Sequence, residues 1–327
     1  MAGLRTGTVV HKGIVSETLI RFRLAPESGH PFPDYEAGQA IALSRDDCKL
    51  TRKTGVGPDG KPVREPEYDP WGRQTVGSLT HYYSIASAPS DTAAHGWLEF
   101  LVGLEHGVHG LSGRLSELLF GGEGDAGPCE VGYQDRIGGG FTLSSRAGDA
   151  ASVLMVGTGT GVAPFVSMVR ELQARDDGGG GRRYTLVHAA RTEADLACRG
   201  ELFEIEAAGR FDFQYLPTVS RRAGTAGMDA RIGLGRACNV VRYVYGLPTA
   251  EEEKQAQARS EVTRVAADAA LERLVHPRLP AHVNVAELAT RLAPDDTVLL
   301  GCGNPASLAD IESTAKRRQV RFERDAW

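Results

Sequence analysis

A glycine-rich turn in the middle of the chain is the first feature whose residue types suggest chemistry. The run Gly157-Thr158-Gly159-Thr160-Gly161-Val162-Ala163-Pro164 directly follows the apolar run Val153 to Val156. Glycine allows a ligand to approach the backbone closely, and the first turn of a helix leaves N–H groups free to bind an anion. Pro164 fits a helix start because a first-turn proline gives up no intrahelical hydrogen bond. The run predicts a site for a dinucleotide pyrophosphate; the alternative is a tight turn without a ligand.

The helix after this turn is indicated by its apolar spacing. Phe165, Met168, Val169 and Leu172 recur at offsets of three and four, which places them on one helical face. The glycine spacing differs from G-x-G-x-x-G with an acidic residue about 20 positions later. The sequence therefore predicts a nucleotide domain of another kind.

A second run with chemical potential is His81-Tyr82-Tyr83-Ser84-Ile85-Ala86-Ser87-Ala88-Pro89, which predicts a strand that turns at the proline. An aromatic ring such as a flavin can stack on a tyrosine, and its reactive edge can be hydrogen-bonded by a neighbouring hydroxyl. The alternative interpretation is an ordinary strand, because tyrosine and serine need no ligand there.

The elements that must position these runs differ between the two parts of the chain. Apolar and polar residues alternate in Leu19 to Leu24 and in Trp97 to Val102, which predicts short antiparallel strands. From about residue 150, continuous apolar runs such as Tyr184 to Val187 alternate with helical segments, which is typical of a parallel sheet buried on both faces.

The predicted fold is therefore an all-β domain followed by an α/β domain. We place an antiparallel β-barrel at residues 1–146 and a parallel-sheet nucleotide-binding domain at residues 147–327, since the polar stretch Ser144 to Asp149 separates the two patterns. Two stretches, 45–78 and 235–282, are interpreted as insertions of unassigned role.

The second insertion contains a predicted helix over Glu261 to Val275. Val262, Val265, Ala266 and Ala269 mark an apolar face of this helix. Such a face more often packs on its own domain than on a partner.

Composition excludes several classes of function. The 327 residues are 41% hydrophobic and 24% charged, with a net charge of -5, so a nucleic-acid partner is not expected. No apolar run approaches the roughly 20 residues that span a bilayer, and no signal peptide is recognisable, so we expect no membrane partner and a cytoplasmic protein. Five cysteines without a C-x-x-C pair predict neither a metal centre nor a disulfide framework.

Six motifs in sequence order resemble those of the ferredoxin-NADP reductase family, and the resemblance covers nearly the whole chain. Besides the two runs above, they are Ala37-Gly38-Gln39-Ala40-Ile41, Gly110-Leu111-Ser112-Gly113-Arg114-Leu115, Val219-Ser220-Arg221 and Gly301-Cys302-Gly303-Asn304-Pro305. The resemblance implies a barrel that binds FAD and a second domain that binds NADP. It also implies hydride transfer from NADPH to FAD and single-electron transfer to ferredoxin or flavodoxin.

The resemblance also implies a role for each matching residue. Catalytic roles fall on Ser84, Cys302 and Glu323. Cofactor-binding roles fall on these residues: His81, Tyr82, Tyr83, Ser84, Ser87, Gly110, Leu111, Ser112, Trp327, Gly157 to Pro164, Arg191, Ser220, Arg221, Arg231, Cys302, Gly303, Asn304 and Pro305. Without the family, Cys302 would be interpreted as a small buried residue after a strand.

Three features of the sequence affect how far the resemblance extends. His81 stands where the family has an arginine, so its contact with the flavin pyrophosphate would depend on pH. Trp327 either covers the flavin or caps the sheet edge. Ser220 and Arg221, with Arg191 and Arg231, match the 2′-phosphate of NADPH because guanidinium groups offer paired donors and permanent charge.

Two alternatives to a ferredoxin-NADP reductase remain open. One is an NADH-dependent reductase component of an oxygenase system. The other is a nucleotide-sensing or interaction subunit that has kept the fold and lost catalysis, since a fold by itself does not certify a function. The electron acceptor, the direction of electron flow and the oligomeric state are not determined by the sequence.

Overall fold

The computed structural model describes residues 3–56, 62–104, 114–121, 129–175, 177–221 and 227–325. The chain divides into two compact units between Gly139 and Gly140. The predicted boundary after residue 146 lies a few residues later, at the end of a one-turn helix that belongs to the second unit.

The first unit consists mainly of strands. Its elements in chain order are β1 (Leu4–Ser16), β2 (Leu19–Ala25), β3 (Ala40–Lys49), β4 (Thr51–Val56), β5 (Pro62–Pro66), β6 (Val76–Ser84), α1 (Pro89–His95), β7 (Leu98–Gly103), α2 (Leu115–Gly121) and β8 (Glu130–Gly138). Six of the described strands form an antiparallel sheet in the order β6-β3-β8-β1-β2-β7. β4 and β5 pair only with each other among the described strands. The predicted all-β first domain is confirmed.

Alternating side chains of these strands fill the core of the first unit. In β2, Ile20, Phe22 and Leu24 are buried while the intervening arginines are half-buried. Phe22 stacks on Phe100 of β7 with the ring centroids 5.1 Å apart. The period of two in the sequence therefore identifies the buried face of the strand correctly.

One charged side chain, Glu99 of β7, is completely buried beside this core. Its carboxylate lies 2.7 Å from the guanidinium of Arg21 and 3.0 Å from that of Arg23. The Glu99 backbone accepts a hydrogen bond from the N–H of Ala86, and its own N–H donates to the hydroxyl of Ser87. Glu99 thus connects the core of the sheet to the segment that follows the His81–Ser84 motif.

The second unit alternates strands and helices. Its elements in chain order are α3 (Leu143–Arg146), β9 (Ser152–Thr158), α4 (Ala163–Ala174), β10 (Arg183–Ala190), α5 (Arg199–Ala208), β11 (Phe213–Val219), β12 (Gly233–Leu234), α6 (Ala237–Val244), α7 (Ala250–Gln257), α8 (Glu261–Glu272), α9 (Val285–Arg291), β13 (Thr297–Cys302), α10 (Pro305–Arg318) and β14 (Arg321–Arg324). Six described strands form a parallel sheet in the order β12-β11-β10-β9-β13-β14. The predicted α/β second domain is confirmed.

The insertion at 235–282 is fastened to the second unit by a nearly buried arginine. Arg242 of α6 donates two hydrogen bonds to Asp310 of α10, at 2.8 and 2.6 Å. The same guanidinium lies 2.8 Å from the carboxylate of Glu253 on α7. These ion pairs attach α7 to α6 and α10.

The prediction for the apolar face of α8 is wrong. Val262 is 79% exposed and Val265 63% exposed, and Ala266 is also exposed. The buried residue within the helix is Ala267. Helical spacing of apolar residues identified the helix, but it did not determine which face the neighbouring elements cover.

No described helix has the length and apolar character needed to cross a membrane. The same part of the chain holds no group of three or more histidine, cysteine, aspartate or glutamate side chains arranged to bind a metal ion.

We expect Glu99→Gln to destabilise the first unit, because the guanidinium groups of Arg21 and Arg23 lose the carboxylate that neutralises them. The cost should be roughly 2 kcal/mol, less than for a fully buried pair since both arginines are partly exposed. Thermal unfolding should show a melting temperature lower by roughly 5 °C. The matched control is Glu65→Gln, whose ion pair with Arg52 is exposed on both sides. Equal melting temperatures for the two variants would contradict the role assigned to Glu99.

Candidate functional site

The order of the parallel strands places a crevice at the end of β9. The chain passes from β9 to β10 and β11 on one side of the sheet and later returns to β13 on the other side of β9. In open α/β sheets, ligands bind at the carboxyl ends of the strands where the order reverses in this way. The two loops at this position are the glycine-rich turn after β9 and the turn Cys302 to Pro305 after β13.

These two turns approach each other so closely that side chains are excluded. A Cβ on Gly161 would lie 2.4 Å from the carbonyl oxygen of Cys302. A Cβ on Gly303 would lie 2.1 Å from Oγ1 of Thr158, and Gly303 has a positive φ of 125°. Only glycine therefore fits at both positions. The turns are joined directly, since the N–H of Asn304 donates to Oγ1 of Thr158 at 2.7 Å.

The glycine-rich turn exposes its tip and buries its second half. Gly159 and Thr160 are exposed, whereas Gly161, Val162, Ala163 and Pro164 are buried. A single turn of 3-10 helix, Gly159–Val162, leads into α4, and Pro164 occupies the first helical turn. The exposed tip offers backbone to a ligand, while the buried residues pack the start of the helix.

Asn304 and Pro305 form the start of α10 in the second turn. Oδ1 of Asn304 accepts a hydrogen bond from the N–H of Ser307, which caps the helix, and Pro305 follows at its first position. Two helix N-termini therefore face the crevice from neighbouring strands. Both favour an anion, because the first N–H groups of a helix have no intrahelical partner.

Cys302, at the end of β13, is buried beside a carboxylate. Its Sγ donates to Oδ2 of Asp325 at 3.6 Å. Burial and the neighbouring negative charge both disfavour the thiolate, so they raise the pKa of the Cys302 thiol well above its ordinary value. The thiol therefore stays protonated at neutral pH.

Glu323, for which the resemblance implies a catalytic role, pairs with an arginine and does not contact Cys302. Glu323 accepts a hydrogen bond from Arg146 at 2.8 Å. In the strand register it lies opposite Leu300, two residues before Cys302. Asp325 is the carboxylate at the thiol. The sequence contained a usable indication, since the residue after β14 must lie beside the end of the neighbouring parallel strand β13.

Ser220, Arg221 and Arg191 come together at the ends of β10 and β11. The N–H of Ser220 donates to the carbonyl of Ala190, and the N–H of Arg221 donates to the carbonyl of Arg191, both at 3.1 Å. Both arginines are exposed, and no described residue forms an ion pair with either side chain. They are therefore available to an anionic ligand.

Arg231 is not available in the same way. Its guanidinium lies 2.7 Å from the carboxylate of Asp229 and 4.3 Å from the ring centroid of Phe203. The hydrogen bonds from Arg231 lower the pKa of Asp229 to about 2, so the pair is fully charged at neutral pH. A ligand phosphate would have to compete with this carboxylate.

The His81–Ser84 motif occupies the end of β6, an edge strand of the antiparallel sheet. Tyr83 lies opposite Ile41 and Ser84 opposite Ala40, and both motif residues are half-buried. Tyr83 packs partly against the core of the first unit. His81 and Tyr82 are exposed. The motif thus offers the ring of Tyr83, which packs on the core, and the hydroxyl of the neighbouring Ser84.

Ser87 supports this motif from within the protein and has no exposed surface. Its hydroxyl accepts the N–H of Glu99 at 3.1 Å, and its carbonyl accepts the hydroxyl of Tyr35 at 3.0 Å. Direct contact with a cofactor, expected for Ser87, therefore does not fit this structure. Sequence reasoning missed Tyr35 and Glu99, because their partners lie far away along the chain.

Four of the expected cofactor residues lie outside the described residues: Gly110, Leu111, Ser112 and Trp327. Their roles stay predictions from the resemblance.

Comparison with known proteins identifies part of the second unit. Residues 155–233 match the family model of the oxidoreductase NAD-binding domain. The flavohemoprotein of Bordetella pertussis is 31% identical over 211 residues, which are 64% of this chain and 42% of that protein. The reductase component of propane 2-monooxygenase from Mycolicibacterium goodii is 30% identical over 142 residues, 43% of this chain and 36% of that protein. The chain thus matches less than half the length of these relatives.

Solved structures resemble the chain over its whole length. A ferredoxin NADP+ reductase from Neisseria gonorrhoeae with bound FAD and NADP superposes with a TM-score of 0.56 at 18% identity, covering 99% of both chains. A cytochrome P450 reductase from Amycolatopsis superposes with a TM-score of 0.56 at 20% identity, covering 99% of this chain and 70% of that one. Residues 155–233 are therefore similar to the oxidoreductase NAD-binding domain, and the chain shares its fold with these two reductases.

We expect Asp325→Asn to lower the pKa of the Cys302 thiol, because it removes the negative charge that disfavours the thiolate. Alkylation of Cys302 by iodoacetamide, followed by mass spectrometry of its peptide between about pH 6 and about pH 10, should then be faster than in the wild type at the alkaline end of this range. Glu323→Gln is the matched control and should leave the profile unchanged. Faster alkylation in the control alone would contradict the pairing of Asp325 with Cys302.

Proposed function

We propose that the chain is a flavoprotein reductase that binds NADPH in its second unit and FAD in its first unit, and passes electrons singly to ferredoxin or flavodoxin. The observation that carries this proposal is the close approach of the glycine-rich turn to the Cys302–Pro305 turn at the reversal of the strand order. A catalytically decayed subunit would not be expected to keep a buried thiol–carboxylate pair at that position.

The residues at the crevice fit a dinucleotide. Gly159 and Thr160 would hold the pyrophosphate with their backbone N–H groups, aided by the N-terminus of α4. Cys302 would lie beside the nicotinamide ring. Its neutral thiol offers a small polarisable surface without a charge, and Asp325 accepts its proton and fixes its orientation. We expect no covalent chemistry at this sulfur.

The residues of β6 fit a flavin. Tyr83 offers an aromatic ring that packs against the core, and the neighbouring Ser84 offers a hydroxyl donor. Glu99 and Tyr35 fix the following segment through Ala86 and Ser87, so the ring and hydroxyl are held in one arrangement. When bound, FAD supplies the conversion of a two-electron hydride into single-electron transfers, which no side chain performs here.

The preference for NADPH is proposed from Ser220, Arg221 and Arg191. Two exposed guanidinium groups and a hydroxyl at adjoining strand ends match a dianionic phosphate. We retain the cytoplasm as the proposed location.

A second candidate is an NADH-dependent reductase of an oxygenase system. The relative from Mycolicibacterium goodii, named as the reductase component of propane 2-monooxygenase, favours it. So does the pairing of Arg231 with Asp229, which removes one of the cations expected at the 2′-phosphate.

Steady-state kinetics with ferricyanide as acceptor distinguish these candidates. We expect NADPH to have the higher kcat/KM, and Arg221→Ala to raise the KM for NADPH about tenfold while leaving that for NADH unchanged, because one charge-assisted contact is lost. Arg231→Ala is the matched control and should have a smaller effect, since Asp229 already engages this arginine.

Two outcomes would contradict the proposal at different points. A kcat/KM for NADH above that for NADPH would favour the oxygenase-type reductase. A purified protein that binds no flavin and shows no ferricyanide reduction after FAD is added would favour a subunit without catalysis.

A further inference from the structure

Two of the five cysteines, Cys48 and Cys129, lie at the core of the first unit on neighbouring strands. Cys48 of β3 is fully buried within the apolar cluster of that core. Cys129 directly precedes β8, is half-buried and packs against the same cluster. Both are free thiols, and neither belongs to the residues that we propose for FAD or NADPH.

A bulge in β3 turns Cys48 to the same face of the sheet as Arg45. Arg45 lies opposite Leu79 of β6. Cys48 lies opposite Gly77, so an advance of three residues on β3 corresponds to only two on β6. Residues two steps apart on a strand share one face of the sheet. The side chains of Arg45 and Cys48 therefore leave β3 on the same side.

The register on the other side of β3 brings Cys48 level with Cys129. Ser44 of β3 lies opposite Gly132 of β8. With the bulge counted as above, Cys48 is three steps beyond Ser44, and Cys129 is three steps before Gly132. The carbonyl of Cys129 accepts the N–H of Val9 in β1 at 2.9 Å, so β8 keeps its sheet geometry as far as this residue. The two cysteines are therefore opposed across neighbouring strands.

This placement is close to the one that a disulfide requires. Opposed residues of antiparallel strands have Cβ atoms about 4.5–5.5 Å apart, and a disulfide needs about 3.5–4.5 Å. Among the described residues, the pairing of β3 with β8 ends at Ser44, before the bulge. The backbone ladder therefore does not hold Cys48 away from Cys129.

Arg45 contacts both cysteines and makes them unequal. Its Nη1 donates to Sγ of Cys129 at 3.1 Å, while its carbonyl accepts a hydrogen bond from Sγ of Cys48 at 3.5 Å. A guanidinium beside a sulfur stabilises the negative charge that the sulfur carries when it attacks an electrophile. Burial, followed by the negative charge of Asp47, raises the pKa of the Cys48 thiol, so this thiol stays protonated at neutral pH. Cys129 is therefore the attacking sulfur of the pair.

We propose that Cys129 is a site of oxidation by hydroperoxides, and that Cys48 then forms a reversible disulfide with it that joins β3 to β8. In the first step the Cys129 sulfur attacks the O–O bond of hydrogen peroxide, which gives a sulfenic acid and one water. In the second step the Cys48 sulfur displaces the sulfenic hydroxyl, which leaves with the thiol proton as a second water. The two thiols lose two electrons, which reduce the peroxide. The inference does not depend on the proposed function.

The new bond should stabilise the first unit. Cys48 and Cys129 are far apart in the sequence, and a bond between distant residues restricts the unfolded chain. We expect the melting temperature of the oxidised protein to be higher by roughly 5 °C or more. Reduction with dithiothreitol should return it to the original value.

The test treats the purified full chain with hydrogen peroxide and alkylates the remaining thiols with iodoacetamide in denaturant. Mass spectrometry should identify a peptide in which Cys48 is linked to Cys129, and dithiothreitol should abolish the link. Cys48→Ser should form the sulfenic acid on Cys129, trapped as a dimedone adduct, without the link. Cys129→Ser should leave Cys48 as a thiol, because Cys48 has no exposed surface.

The contribution of Arg45 is measured as the rate of dimedone labelling of Cys129 in the Cys48→Ser background. Arg45→Ala should lower this rate about tenfold, and Arg45→Lys should restore most of it because it keeps the positive charge. Rescue by lysine is a result that a merely structural role does not give. The matched control is Arg52→Ala, which removes an exposed arginine on β4 and should leave the rate unchanged.

Three results would overturn the inference. One is oxidation of Cys129 to the sulfinic acid in the wild type without any linked peptide. Another is oxidation of Cys48 in Cys129→Ser as fast as in the wild type. The third is labelling of Cys129 at an equal rate with arginine, lysine or alanine at position 45. NADPH-dependent ferricyanide reduction does not enter these measurements, so the inference and the proposed function can fail independently.

Discussion

The second unit depends on one steric constraint, the absence of side chains where two turns meet. With any side chain at Gly161 or Gly303, the loop after β9 and the loop after β13 would separate. The hydrogen bond from Asn304 to Thr158 would then be lost, and the N-termini of α4 and α10 would no longer share one crevice. The position of Cys302 follows from the same contact, because its own carbonyl is the atom that a Cβ on Gly161 would strike.

The first unit depends on a different kind of constraint, a buried charge. Glu99 lies at the centre of a set of hydrogen bonds and ion pairs that joins β2, β7 and the segment after β6. A carboxylate without exposed surface is tolerated because two arginines pair with it. The buried carboxylate fixes the position of the residues that follow Tyr83 and Ser84.

Much of this architecture was predictable from the sequence, because it follows from local patterns. Period-two alternation identified β2 and β7, continuous apolar runs identified β9 and β10, and the glycines predicted the turn after β9. Contacts between distant segments were not predictable in the same way. The contact of Asp325 with Cys302 is an example, because which residue lies beside the thiol is not known until the register of β14 is known.

The predictions for the apolar face of α8 and for the role of Ser87 were wrong for related reasons. Spacing places Val262 and Val265 together, but whether anything covers them depends on tertiary packing. The type of Ser87 suits a ligand contact, yet Tyr35 and Glu99 reach it from remote parts of the chain and bury it.

The central claim is that a nucleotide held at the glycine turns reduces a flavin held by β6. Anaerobic rapid mixing of the FAD-loaded protein with NADPH, followed at the visible absorbance of the flavin, measures this step directly. The account predicts loss of the flavin absorbance in the wild type, and a much slower loss in Gly161→Ala, whose Cβ separates the two turns. Retention of the oxidised flavin spectrum in the wild type, or reduction of Gly161→Ala at the wild-type rate, would contradict it.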